Sequence, residues 1–381
     1  MDLIITVSKA IVCKGADHGC KHYKTCFLFI YSTYTLLSVN HVRQPMRAMA
    51  RALHWYNGLF VFGDSFADTG NSPKSDLSEV TRQWYKPYGS SHGFLRDPTG
   101  RFSNSLVQSD FIAKILGRSE APLTYRRTKA GYPDKFGVNF AVGGAGVFEV
   151  PREAPTLARQ IDDFEKMLDD DRTIGKWQLR QSVALVAISG NDYARVAANT
   201  SSDGADITGF VGNVTDEIAR GVDRLRKLGV TKVLVNTLHP LACTPWQSRP
   251  SNYTKCVGRG NMAADLHNDH LRDKLRNATA SDSVYLLDLN RAFTTIISPS
   301  DTDTVPQVAK QFKEKLRPCC ESCDPNGYCG QVDKDGGAQY SVCSNPEKHF
   351  FWDDVHLTQA GWEAVMEQLE RDIKDFLHIS Y

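Results

Sequence analysis

The chain has 381 residues, of which 41% are hydrophobic and 23% charged, with a formal net charge of +1 at pH 7. That balance describes an ordinary globular protein, long enough for one large α/β domain or two smaller ones. It gives no global electrostatic reason to expect a nucleic-acid partner, because the basic runs "TYRRTK" and "RLRKLG" are local and suit solvated helix faces.

Residues 1–55 read as a leader. A basic flank, "KHYK", precedes 14 largely apolar residues from Cys26 to Val39, the length of a signal-peptide core and short for a bilayer span. "AMA" at Ala48–Ala50 resembles a cleavage site and places the mature start between Ala48 and Tyr56. An uncleaved anchor would give a similar pattern.

From Tyr56 onward no repeat or low-complexity linker divides the chain. Strand-like runs lie at 58–63, 137–142, 183–189, 231–236 and 283–289. They are dense in Val, Ile, Leu and Phe without clear alternation, as strands buried on both faces must be. Amphipathic patterns at 105–117, 156–170, 207–229 and 261–278 fall between them, and another at 358–377 closes the chain. The alternation predicts one doubly wound α/β domain with a parallel sheet, whose sites form at the carboxyl ends of its strands.

Those strand ends are unusually polar. "FVFGDSFADTGN" puts Ser65 directly after the first strand, either as a strand cap or as a nucleophile. "GSSHG" at Gly89–Gly93 fits G-x-S-x-G, but prolines flank it where a nucleophile elbow needs a strand and a helix, so Ser91 reads as a decoy. "NFAVGGAG" places Gly143, Gly144 and Gly146 after the second strand; the dinucleotide fingerprint fails because Glu149 stands where its third glycine should be. "AISGNDY" places Asn191 after the third, and "HFFWDDVHLT" supplies Asp353 and His356 ahead of Thr358, a plausible N-cap. Singly, each is ordinary turn chemistry. Together they offer what hydrolysis through a serine requires: a hydroxyl, a base, an acid to orient the base, and oxyanion donors.

"FGDSFADTGN", "GVNFAVGGAG", "SGNDY" and "FWDDVHLT", in this order, resemble the four signature blocks of the GDSL lipases/esterases, the SGNH hydrolases. The form is that of the plant branch, which also shows "GRFSN" at Gly100–Asn104 and a Cys-Cys segment before the last block. The likeness covers about residues 56 to 378. It implies a flavodoxin-like SGNH hydrolase domain at 56–381: a single three-layer α/β/α sandwich with a mainly parallel five-stranded sheet. It further implies a secreted serine esterase acting through an acyl-enzyme. Ser65 matches the nucleophile, His356 the base and Asp353, not Asp354, the acid, by the spacing Asp-x-x-His. Ser65 N–H, Gly144 and Asn191 match the oxyanion hole, and Phe66 stands where the motif has Leu. No cofactor or metal is implied, and no integral membrane span is expected. The substrate would be a small-molecule, lipid or polysaccharide ester. An acyltransferase on the same site and a non-catalytic secreted glycoprotein are the alternative readings.

Ten cysteines and four N-x-[ST] sequons, at Asn199, Asn213, Asn252 and Asn277, favour a secreted, disulfide-bonded chain. Cys13, Cys20 and Cys26 lie in the leader. Cys243 and Cys256 bracket a polar loop and are expected to pair. In the cluster Cys319, Cys320, Cys323, Cys329 and Cys343, the run Cys320-x-x-Cys323 with Cys329 and Cys343 also fits a zinc site. The resemblance favours disulfides there and leaves Cys323 without a partner. His267 and His270, on a helix dense in charges, read as a solvated face rather than a metal pair.

Overall fold

A computed structural model of the protein describes residues 8–14, 25–31, 56, 58–129, 135–149, 154–170, 174–194, 207–256, 258–298 and 307–379. The chain falls into two compact units, Met1–Arg51 and Ala52–Tyr381. In the first, β1 (Ser8–Lys14) pairs antiparallel with β2 (Thr25–Tyr31), with Cys13 opposite Cys26 in register. The start of the apolar run expected as a signal-peptide core is therefore extended strand. The rest of that run, Cys20 and Ala48–Ala50 lie outside the described residues.

The second unit is built on β3 (Gly58–Gly63), β4 (Gly137–Asn139), β5 (Ser182–Ala187), β6 (Lys232–Asn236) and β7 (Val284–Leu287). All neighbours are parallel, in the order β4-β3-β5-β6-β7. Around them lie helices α1 (Gln108–Ile115), α2 (Leu157–Asp170), α3 (Ile207–Leu228), α4 (Gly260–Ala280), α5 (Leu289–Ile297) and α6 (Gln359–Leu377). Strand side chains alternate between two faces, and both faces are covered. Leu59, Val61, Leu185 and Leu234 enter a core closed by α1, α5 and α6. Phe60, Phe62, Val186 and Val235 enter a second core closed by α2, α3 and α4. The result is the expected α/β/α sandwich. No helix among the described residues is long and apolar enough to cross a membrane.

Strand order reverses at β3, with β4 on one side and β5 on the other, and this opens the crevice where such sheets bind ligands. Local chemistry shapes the crevice. β4 stops at Asn139, short of the expected Val142, because the Asn139 carboxamide accepts from Ala141 N at 2.9 Å and donates to Ala67 O at 2.8 Å. β5 stops at Ala187, because Ser189 N turns aside to donate to Asp64 Oδ2 at 2.6 Å. Gly63 is obligatory: its φ is +142°, and a Cβ there would lie 2.1 Å from the Ala187 carbonyl oxygen.

A small hairpin is added to this unit. β8 (Cys320–Ser322) pairs antiparallel with β9 (Tyr340–Val342), and disulfides Cys319–Cys343 and Cys320–Cys329 staple this hairpin. The four sulfurs of the zinc alternative are thus not available as a set, and Cys323 carries a free, exposed thiol. Cys243 and Cys256 are joined across their loop. His267 departs from expectation. It is fully buried, with Nδ1 2.8 Å from the Tyr193 hydroxyl, because α4 turns that face onto the sheet and its charges elsewhere.

Candidate active site

The chain leaves β3 through Asp64 and enters a tight turn in which Ala67 N and Asp68 N both donate to Asp64 O, at 3.0 and 2.9 Å. Ser65 heads that turn. Its backbone N–H, like that of Gly144, donates to no group among the described residues. Gly144 has φ +85°, which the neighbouring turn requires. Two buried carboxylates hold these pieces together. Asp64 Oδ2 accepts from Ser189 N, Ser189 Oγ and Asn191 Nδ2 at 2.6, 2.7 and 3.2 Å, binding the end of β3 to the end of β5. Burial pushes its carboxyl up to about 6, against the pull of those hydrogen bonds. Asp68 accepts from Gly70 N, Asn71 N and Gly143 N, each within 2.8 Å, and so binds the glycine loop after β4 to the same turn.

Asn191 is half-buried at the mouth of the crevice. Its amide donates to Ala145 O at 2.8 Å and, at the longer 3.2 Å, to Asp64 Oδ2. The longer bond is the one an incoming anion can share.

Asp353 and His356 come from the loop before α6, where Thr358 caps the helix by accepting from Gly361 N at 2.9 Å. Asp353 Oδ1 accepts from Val355 N and His356 N at 2.9 and 2.7 Å, which folds the loop back on itself. The His356 ring then lies with Nδ1 2.8 Å from both Asp353 oxygens and Nε2 2.8 Å from Ser65 Oγ. With the carboxylate on Nδ1, the proton belongs there, and Nε2 is left to accept from the serine hydroxyl. Burial alone would raise the Asp353 carboxyl; His356 and Arg82 beside it outweigh burial and hold it well below the usual carboxylate range. Asp354, by contrast, has a side chain 42% exposed and pairs with Arg82 rather than with the His356 ring. Ser91, the serine of "GSSHG", is exposed in a loop and accepts only from Asn104 Nδ2, at 3.0 Å.

Several residues that hold this arrangement lie outside the motifs' obvious chemistry. Phe102 of "GRFSN" stacks on His356 with centroids 4.7 Å apart, and a Cβ on Gly143 would lie 2.4 Å from the Phe102 ring. Gln160 of α2 clasps Gly63, accepting from its N–H at 2.8 Å and donating to its carbonyl at 2.9 Å. Gln160 was legible only as one polar residue on the buried stripe Leu157, Ile161, Phe164. Asp353, Asp354 and His356 are also the only group among the described residues close enough to hold a metal ion. Asp353 and His356 are already committed to each other, and the Arg82 guanidinium, 3.3 Å from Asp354, opposes a cation there.

Comparison with known proteins places this geometry in context. The family model for GDSL-like lipase/acylhydrolase matches residues 59–369. A protein of Arabidopsis thaliana named GDSL esterase/lipase is 35% identical over 319 residues, spanning 83% of this chain and 86% of the relative. A second of that name and organism is 34% identical over 353 residues, spanning 91% and 96%. A third is 36% identical over 325 residues, spanning 82% and 86%.

Proposed function

The chain belongs to the GDSL-like lipase/acylhydrolase family, and on that premise we propose that it hydrolyses carboxylic esters through an acyl-enzyme on Ser65. The observation that carries the reading is the hydrogen-bonded chain from Ser65 Oγ through His356 to Asp353, beside uncommitted N–H groups at Ser65 and Gly144. Ser65 Oγ attacks the ester carbonyl carbon while its proton passes to His356 Nε2. The resulting oxyanion takes hydrogen bonds from Ser65 N–H, Gly144 N–H and the Asn191 amide. Its collapse breaks the carbon–oxygen bond to the alcohol, which leaves with the proton from His356. Water then attacks the acyl-enzyme by the same route, releases the acid and restores Ser65.

Residues 56–381 form the hydrolase domain, and residues 1–55 act as a secretory leader removed between Ala48 and Tyr56. The extracellular assignment is supported by three disulfides and by the exposure of the sequon asparagines Asn213, Asn252 and Asn277. Asn199 lies outside the described residues.

The test is hydrolysis of p-nitrophenyl esters of graded chain length by wild type and Ser65→Ala. Turnover is expected to vanish in the variant while the melting temperature stays near wild type. Adding His356→Ala should then cost almost nothing more, since residues acting as a unit are strongly non-additive. Full activity in Ser65→Ala would remove the serine from the mechanism.

A further inference from the structure

We propose that Tyr88 and Arg82 are positioning residues of this reaction, a buried hydroxyl and guanidinium that lengthen the Ser65–His356–Asp353 chain by two members and set its acid limit. The inference rests on the roles given above to Ser65, His356 and Asp353.

Both side chains sit in the irregular stretch between β3 and α1, outside the four motif blocks. Tyr88 is fully buried and Arg82 is 2% exposed. The Tyr88 hydroxyl donates to Asp353 Oδ2 at 2.7 Å, and Arg82 Nε donates to the Tyr88 oxygen at 2.7 Å. The phenol proton is thereby aimed at the carboxylate. Arg82 Nη1 donates to Glu79 O, which fixes the fork, and Nη2 lies 3.4 Å from Asp353 Oδ2 and 3.3 Å from Asp354 Oδ1. Its guanidinium carbon lies 5.3 Å from the centroid of Phe102, the ring that stacks on His356.

A purely space-filling role does not explain this set. Burying a phenol and a guanidinium costs more than burying Phe and Met of similar size, unless the polar atoms find partners. Here the partners converge on one carboxylate. Asp353 Oδ1 is fixed by its own loop through two backbone N–H groups, but the loop makes no such bond to Oδ2. Tyr88 and Arg82 supply it, so the carboxylate cannot rotate away from Nδ1.

The same contacts bear on protonation. The titratable groups around His356 are Asp353 and Asp354 on its own loop, Asp64 at the end of β3 and His239 after β6, with Tyr88 and Arg82 behind Asp353. His239 is pushed down to about 3 by burial and stays neutral, which leaves Arg82 as the positive member of that group. A fixed positive charge opposes a second one on a neighbouring imidazole. Removing it leaves more of the Asp353 charge unbalanced beside the base, the direction in which the acidic limb of activity moves up. Removing the Tyr88 hydroxyl leaves Asp353 with less of its charge neutralised and acts in the same direction.

The experiment measures kcat, KM and melting temperature for Tyr88→Phe, Arg82→Met and Arg82→Lys in the full chain, with a p-nitrophenyl ester from pH 5 to 9. Tyr88→Phe should lower kcat about tenfold, the size of one hydrogen bond to a charged group, with KM little changed. Its acidic limb in kcat/KM should move up by about half a pH unit. Arg82→Met should move the limb further, and Arg82→Lys, which keeps the charge without the fork, should return the limb while kcat stays reduced. An unmoved acidic limb in Tyr88→Phe, which lacks one oxygen only, overturns the inference even where the arginine variants fail to fold. Ser65→Ala in the same assay separates the two failures: an inactive Ser65→Ala beside a wild-type profile in Tyr88→Phe sinks this inference alone, whereas an active Ser65→Ala sinks the site itself.

Discussion

Adjacent aspartates meet different environments at the end of the chain. Asp353 is fully buried with its oxygens on His356, Tyr88 and Arg82, while Asp354 beside it is 42% exposed and pairs with Arg82, at 3.3 Å. A half-exposed ion pair contributes roughly 0–1 kcal/mol, so Asp354→Ala should leave kcat within a few-fold of wild type. Asp353→Ala releases the imidazole and leaves Arg82 buried without its carboxylate, and kcat should fall by about 10⁴, as when a triad acid is lost. Steady-state rates on the two variants check this, and a larger loss for Asp354→Ala would transfer the acid role. Asn191→Ala is the matching test of the oxyanion side, with kcat expected to drop about 10²–10³ at nearly constant KM. Asp64 adds a pH dependence of opposite sign to that of Asp353. Its carboxyl is raised from 3.8 to about 6 in the folded state, so the folded protein binds its proton more tightly than the unfolded chain. Its contribution to stability is complete below about pH 4 and is lost as pH rises through about 6, a change of about 3 kcal/mol. Stability of wild type minus that of Asp64→Asn, measured by denaturant unfolding, should therefore decline over that window, and a flat difference would show that burial does not raise this group.

At the scale of elements, periodicity and apolar density located all five strands of the main sheet and the long helices, because both faces of the sheet are covered and leave an unbroken apolar record in each strand. Strand ends were less legible. Asn139 and Ser189 end β4 and β5 by hydrogen bonds to Ala67 and Asp64, residues more than 70 positions away, and nothing local announces such partners. His267 was misread for a different reason: charges at Asp269 and Arg272 dominate the pattern of α4, while the buried stripe Ala264, His267, Asn268, Leu271, Leu275, Ala278 includes two polar side chains. The candidates Ser65, Asp353, His356, Gly144 and Asn191 could be picked out of the sequence because each follows a strand or precedes a helix in a distinctive block. Arg82, Tyr88 and Gln160 could not, since their spacing carries no motif and only the fold brings them to Asp353 and Gly63. Gly63 offers the sharpest test of the β3–β5 seam. An added methyl would meet the Ala187 carbonyl oxygen at 2.1 Å from a backbone at φ +142°, so Gly63→Ala should destabilise by about 3 kcal/mol or more and disable the enzyme with it. Guanidinium unfolding would show this as a lower midpoint at constant slope.

At the scale of the whole molecule, the disulfides and sequons bear on the secretory assignment proposed above. Disulfides Cys243–Cys256, Cys320–Cys329 and Cys319–Cys343 close loops separated by 13, 9 and 24 residues, which in the chain-entropy model contribute about 3 kcal/mol each. Such bonds persist in an oxidising compartment. Asn213 and Asn277 stand exposed on α3 and α4. Asn252 is exposed in a left-handed turn at φ +55°, where its Oδ1 accepts from Arg317 Nη2 at 2.8 Å. A glycan attaches to the amide nitrogen and leaves that oxygen free, so modification at Asn252 is compatible with the bond to Arg317. Thr215, the hydroxyl residue of the Asn213 sequon, is fully buried and donates to Val211 O at 2.9 Å, so a glycan at that site would have to be added before α3 packs. Expression through a secretory pathway should therefore yield a protein whose mass falls on enzymatic removal of N-glycans, with Asn252 and Asn277 occupied more fully than Asn213. Peptide mapping without reduction should return the three disulfides with Cys323 alone alkylated among the seven cysteines from Cys243 onward. N-terminal sequencing of the same material should begin between Ala48 and Tyr56. An unglycosylated, fully alkylated protein retaining residues 1–39 would place the enzyme in a reducing compartment and overturn the secretory assignment, while leaving the chemistry of Ser65, His356 and Asp353 to its own tests.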